Sequence, residues 1–191
     1  MHDPKVEAIV IGGSAGAIEA LSLILPALPR GFIPPIFITV HIPPTRPSLL
    51  ATLFAEKCLL DVQEAEDKTP IEPGVIYFAP PDYHLLVESK GLLTLSVEEA
   101  VNYSRPAIDV LFESAADIYE DRLVGVILTG ANHDGAEGLR QIVERGGAGV
   151  VQLPETAYAK EMPEAALRAC PHAEVLTLAG IADYLLNVAG C

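Results

Sequence analysis

The sequence predicts an α/β fold: a doubly wound, mostly parallel sheet of Rossmann-like type, three layers deep (αβα), with an added β-hairpin. Three observations carry that expectation. Apolar runs at residues 6–11, 35–41 and 123–128 are rich in β-branched residues and lack polar alternation, as strands buried on both faces do. Strand-like and helix-like patterns alternate along the chain, which implies right-handed crossovers and ligands bound beyond the strand C-termini. No linker divides the 191 residues, a length suited to one well-packed core, so residues 1–191 read as one domain.

The first run leads into Gly12-Gly13-Ser14-Ala15-Gly16-Ala17, after which Ile18, Leu21 and Leu25 recur at helix spacing until Pro26 and Pro29. A Gly12-x-Ser14-x-Gly16 turn between strand and helix fits the nucleophile-elbow pattern, in which small neighbours let the chain turn sharply and lift the hydroxyl above the sheet. Ser14 would then stand at a helix N-terminus. The free amides and positive dipole end there suit either a bound phosphate or the oxyanion of an acyl-transfer intermediate. The second strand, 35–41, ends in His41. Pro43, Pro44 and Pro47 stiffen the next loop, and Leu49, Leu50, Leu53 and Phe54 mark a helix over 48–57.

Short strands at 61–65 and 75–79 flank the turn Glu72-Pro73-Gly74, and 84–88 pairs with 92–96 across Ser89-Lys90-Gly91 as an antiparallel hairpin. A helix over 106–119 carries Ile108, Leu111, Phe112, Ala115 and Ile118 on one face, with Ser104 as its candidate N-cap and Pro106 near its first turn. The strand at 123–128 ends in Thr129-Gly130-Ala131-Asn132-His133-Asp134-Gly135, and the helix over 136–145 is stopped by Gly146-Gly147. A strand at 148–152, a polar segment, a helix over 163–169, a strand at 174–177 and a helix over 179–188 complete the chain.

Composition excludes several classes of function. A formal charge of −14, with only 12 Lys plus Arg, argues against nucleic acid as a partner. No apolar stretch nears the roughly 20 residues of a membrane helix, and the first residues lack a signal peptide's basic start, so no membrane insertion and a cytoplasmic location are expected. Three scattered cysteines, Cys58, Cys170 and Cys191, form no CxxC pair and suggest neither zinc nor a disulfide framework. Neither a metal nor a cofactor is expected. A dinucleotide site would need glycine at positions 14 and 17, where Ser14 and Ala17 stand, and an acid ending the second strand, where His41 stands; the Gly-Lys-Ser/Thr of a phosphate loop is missing too.

Ser14, His41 and Asp134 all fall at strand C-terminal ends. A serine hydroxyl needs an imidazole to take its proton, and the imidazole needs a carboxylate to fix its tautomer and stabilise the imidazolium. These three residues supply one of each. Each also has a plainer reading: Ser14 as a turn or cap residue, His41 as a packed histidine, Asp134 as a helix N-cap. His133 is a rival base, although adjacent side chains diverge, and His84 at the start of the hairpin reads as structural.

The stretches IVIGGSAGAIEAL (9–21), VHIP (40–43), YFAPPDYH (77–84), SRPAIDVLF (104–112) and LTGANHDGAEGL (128–139), with residues 151–163, together resemble the catalytic domain of the chemotaxis protein-glutamate methylesterases, the CheB family. The resemblance spans nearly the whole chain in order. It implies hydrolysis of glutamate methyl esters on the cytoplasmic helices of chemoreceptors, with Ser14 as nucleophile, His41 as base and Asp134 as orienting acid, and leaves glutamine deamidation open. Where the family commonly has threonine, a second glycine and methionine, this chain has Ala15, Ala17 and Ala131. Ala15, Gly16 and Ala131 are the oxyanion candidates. No receiver domain is expected before Val6, so a separate receiver or chemotaxis signalling protein is a candidate partner. Arg46 and Arg105 match family arginines and are expected to meet acidic receptor helices, or else to brace loops. The alternative function is a binding module without catalysis, either a signalling interaction domain or a phosphate- or nucleotide-binding domain.

Overall fold

A computed structural model describes residues 6–43 and 48–191. The expected Arg46 lies outside them. Seven strands form a wholly parallel sheet: β1 (Ala8–Gly13), β2 (Ile36–Val40), β3 (Asp61–Glu64), β4 (Val75–Phe78), β7 (Leu123–Ile127), β8 (Ala148–Gln152) and β9 (Glu174–Leu176), while β5 (His84–Ser89) and β6 (Leu92–Ser96) make a separate antiparallel hairpin. The sheet order is β3-β4-β2-β1-β7-β8-β9, so the chain leaves β1 toward β2 on one side and later returns to β7 on the other. The crevice outside the C-terminal ends of β1 and β7 is therefore the switch point at which open α/β sheets bind ligands.

Among the described residues, six α-helices cover the two faces. Helices α1 (Ala17–Ile24), α2 (Leu50–Lys57) and α6 (Leu178–Ala189) pack with Ile9, Ile11, Ile36, Ile38 and Val126 in one core. Helices α3 (Ile108–Tyr119), α4 (Ala136–Glu144) and α5 (Glu161–Ala169) pack with Val10, Phe37, Tyr77 and Ile127, and with Leu85, Val87 and Leu93 of the hairpin, in the other. Period-two alternation within β1 feeds both cores at once, which is why its sequence shows no polar face. The expected fold class and strand positions therefore hold.

One expected cap does not. Helix α3 begins at Ile108 after an extended Ala107, and Ser104 lies four positions upstream, where its backbone pairs with Val101 in a tight turn. The central residues of that turn, Asn102 and Tyr103, both have positive φ, 51° and 62°. A helix N-terminus leaves amides to be satisfied, and at α3 the acceptor comes from elsewhere in the chain, as the site shows.

Candidate active site

Strand register brings the serine and the histidine together. Gly13 of β1 lies opposite Val40 of β2, and the His41 amide donates to the Gly13 carbonyl at 3.2 Å, which sets His41 beside Ser14 just past the strand ends. The elbow itself is held by Thr129 from the end of β7: its carbonyl accepts the Ser14 N–H at 2.9 Å, and its hydroxyl donates to the Ala15 carbonyl at 2.8 Å. Gly16 has φ +82°, and an added Cβ would come within 2.6 Å of the Tyr158 Cβ, so both conformation and space require glycine there. Among the described residues, the backbone amides of Ala15 and Gly16, just before α1, and of Ala131, in the loop after β7, have no backbone acceptor.

His41 Nε2 lies 2.7 Å from Asp134 Oδ2. Asp134 is fully buried and its carboxylate is saturated: Oδ2 also accepts the Ile108 N–H at 2.6 Å, while Oδ1 accepts the Asp109 N–H at 3.1 Å and the Asn102 Nδ2 at 2.8 Å. The first two amides of α3 are thus capped by Asp134, which precedes α4. In return Asp109, in the first turn of α3, accepts the Gly135 and Gly138 amides that open α4, at 3.0 and 2.7 Å, on one carboxylate oxygen. Each helix is capped by the acid of the other. The sequence reading of Asp134 as a cap is realised, with the cap on α3 rather than on its own helix, and the same carboxylate also meets the His41 ring.

Asn102 joins the two acids. Its amide nitrogen donates to Asp109 Oδ2 and Asp134 Oδ1, at 2.8 Å each, so the nitrogen and not the oxygen must face the pair. Burial pushes the Asp134 carboxyl up, but the hydrogen bonds from His41, Ile108, Asn102 and Asp109 outweigh it and hold the group below the ordinary aspartate value. Asp109 is raised by burial and by the neighbouring Asp134 charge, against the pull of its Gly138, Asn102 and Gly135 hydrogen bonds. Environment thus separates two adjacent carboxyls, keeping the one beside the imidazole ionised.

The tautomer of His41 follows from its neighbours. Asn132 Oδ1 accepts the Asp134 N–H at 3.0 Å, which turns Asn132 Nδ2 toward His41 Nδ1 at 3.2 Å. An amide nitrogen can only donate, so Nδ1 is the acceptor and Nε2 carries the proton given to Asp134. The two ring nitrogens have exchanged the roles they hold in chymotrypsin-like triads, where Nδ1 faces the carboxylate. His133 is exposed, away from this network. His84 is buried and structural, with Nε2 on the Glu99 carbonyl at 2.9 Å and Nδ1 accepting the Ala107 N–H at 3.2 Å.

A cavity of about 320 Å³ opens beside the imidazole, lined by His41, Asp82, Tyr103, Ser104, Arg105 and Pro106. Arg105 does not present a free fork to it. Its Nε and Nη2 hold Asp82 at 3.1 and 2.6 Å, and its Nη1 donates to the carbonyls of Val97 and Glu98 at 2.9 and 3.1 Å. Here the guanidinium braces the cavity wall, one of the two expectations for Arg105 from the sequence. A larger cavity, about 790 Å³, lies at the opposite, N-terminal ends of the strands among Val6, Leu123, Gly147 and Tyr184, remote from Ser14.

The CheB methylesterase family profile matches residues 9–185 of this chain. The chain belongs to that family. The crystal structure of the Thermotoga maritima CheB methylesterase catalytic domain superposes with a TM-score of 0.91 at 32% identity, covering 96% of this chain and 98% of that one. A relative from Symbiobacterium thermophilum, named protein-glutamate methylesterase/protein-glutamine glutaminase, is 35% identical over 182 residues, which are 95% of this chain and half of that protein. One from Leptospira interrogans, given the same name provisionally, is 48% identical and is matched over 94% of its length. Among the described residues, no helix is long and apolar enough to cross a membrane.

Sequence reasoning missed Asn102, Asp109, Thr129 and Asn132. Asp109 and Thr129 stood inside motifs that were noticed for other residues; Asn102 gave no signal beyond an asparagine in a polar loop.

Proposed function

We propose that this CheB-family domain is a cytoplasmic serine esterase that hydrolyses glutamate γ-methyl esters on the cytoplasmic helices of chemoreceptors. The observation that carries the proposal is the pairing of His41 Nε2 with a buried, saturated Asp134 at 2.7 Å, which leaves Nδ1 as the basic nitrogen for the Ser14 proton. Ser14 Oγ attacks the ester carbonyl carbon as its proton passes to Nδ1, and the carbonyl π bond opens to an oxyanion. The amides of Ala15 and Gly16 at the N-terminus of α1, with that of Ala131 in the loop after β7, receive that charge. As the tetrahedral species collapses, the imidazolium returns the proton to the methoxy oxygen, the C–O bond breaks and methanol leaves an acyl-serine. Water, giving a proton to Nδ1, attacks the acyl carbon; Ser14 Oγ departs and takes that proton back. The glutamic acid formed loses its remaining acidic proton to solvent. Asp134 stays ionised throughout, stabilising the imidazolium and fixing the ring.

The same acyl-serine forms from a glutamine carboxamide when ammonia is the leaving group, in keeping with the paired name of the relatives. Docking of an acidic receptor helix on a chain of charge −14 requires short-range contacts, since the long-range field repels.

Methanol release from methylated receptor tests the reading. Ser14→Ala and His41→Ala should each lower turnover at least about 10³-fold with the fold intact, and Asp134→Asn should lower it by about 10³–10⁴-fold by disturbing the tautomer. Wild-type turnover in Ser14→Ala would remove Ser14 as the nucleophile, and no methanol release by the wild type would replace the esterase with a non-catalytic module.

A further inference from the structure

We propose that Asn132 is a latch on the catalytic base: in the resting protein its side-chain amide occupies the one nitrogen of His41 that must accept the Ser14 proton, and catalysis requires that amide to swing away. The inference rests on the Ser14–His41 reading above. An imidazole nitrogen of the acceptor type has a single in-plane lone pair, so Nδ1 cannot serve the Asn132 N–H and the Ser14 O–H with good geometry at the same time. Asn132 Nδ2 holds that lone pair at 3.2 Å, and among the described residues Ser14 Oγ makes no hydrogen bond. The nucleophile and its base are therefore adjacent but not engaged.

Two features make the contact a latch rather than an accident of a long side chain. Asn132 is held from the other end, its Oδ1 accepting the N–H of Asp134 two residues on at 3.0 Å, so the amide bridges the backbone of the acid and the ring of the base. The contact also has the wrong polarity for the reaction. Once Nδ1 is protonated, a ring N–H meets an amide N–H, and the pair that was attractive becomes repulsive. Proton transfer and the Asn132 contact are mutually exclusive. A substrate seated at the crevice that draws Ser14 toward Nδ1 displaces the amide, and the released NH₂ then stands in the loop that also carries Ala131, on the oxyanion side.

The latch is one neutral hydrogen bond, so its removal should quicken Ser14 about two- to tenfold in the absence of substrate. A small alkyl fluorophosphonate, followed by intact-protein mass, reports the rate of Ser14 phosphonylation directly. Asn132→Ala removes the amide. Asn132→Ser keeps an oxygen able to accept the Asp134 N–H while falling short of the ring, so it preserves the loop turn. Both variants should label faster than wild type, and His41→Ala placed in either background should abolish the gain. A loss of packing alone cannot produce an acceleration. Labelling of Ser14 that depends on His41 but runs at or below the wild-type rate in both variants would overturn the latch and leave the triad standing. No labelling of Ser14 in wild type or in either variant would overturn the triad and the latch with it.

Discussion

Asn102→Gly separates the bridge between the two carboxylates from the backbone that presents it. Asn102 sits at φ +51°, a conformation glycine adopts without strain, so this change removes only the side-chain amide. Two hydrogen bonds to carboxylates, each 2.8 Å long, disappear. At about 1.5–3 kcal/mol for each bond to a charged acceptor, the ceiling is roughly 3–6 kcal/mol. The residue is only half-buried and water can rejoin both acids, which brings the expected loss to about 2–4 kcal/mol. For a chain of this length that is a fall in Tm of roughly 5–15 °C. Asp134 keeps its bonds from His41, Ile108 and Asp109 but loses the one that sets its rotation, so kcat for a small methyl ester should fall about ten- to a hundredfold. Asn102→Ala should be less stable than Asn102→Gly by about 1 kcal/mol more, because alanine pays for positive φ. Urea unfolding and methanol release measure both effects. A glycine variant within about 0.5 kcal/mol of wild type, the usual range for inconsequential surface changes, would refute the claim that this amide holds the two acids together.

Two further outcomes follow from the same network. In Gly12→Ala the new Cβ would lie 2.3 Å from Ile108 Cγ2, so Ile108 must move although its N–H holds Asp134 at 2.6 Å; a loss of about 1–3 kcal/mol together with reduced ester hydrolysis is expected, and unchanged hydrolysis would show that α3 yields without disturbing the acid. The Asp134 carboxyl is held below its ordinary value, so the stability it contributes is complete above the ordinary aspartate range and is lost as pH falls through its lowered folded value. The stability gap between wild type and Asp134→Asn should therefore narrow as urea titrations are taken below about pH 4, and a gap independent of pH would contradict the assignment.

Most of the sheet was legible because burial on two faces leaves a simple trace. Residues 148–152 and 92–96 have in the structure the bounds expected of them, and Ser14 and His41 fall just past the ends of β1 and β2 as the preceding apolar runs imply. What stayed hidden depends on contacts between distant segments. Ser104 has the chemistry of an N-cap and the right neighbourhood, yet α3 begins four residues later because Asp134, remote in sequence, supplies the acceptor. Arg105 looked free because its partners Asp82, Val97 and Glu98 are brought to it only by the hairpin and the loop after it. Asn102 is invisible for a related reason: nothing local marks a turn whose two central residues both take positive φ without a glycine. The exchanged nitrogens of His41 required the orientation of Asn132, which a sequence does not contain.

The cross-capping of α3 and α4 ties the Asp134–His41 contact to a single cooperative opening event. The amides of Ile108 and Asp109 are closed by Asp134, and those of Gly135 and Gly138 by Asp109, so neither helix start can fray without releasing the acceptor that closes the other. These four amides should exchange hydrogen with one free energy of opening, and each such opening frees the acid that orients His41. The lifetime of the Asp134–His41 contact is then the lifetime of the helix pair. Heating would extinguish activity in step with this corner of the molecule, ahead of any loss of the β1–β2 pairing in the middle of the sheet.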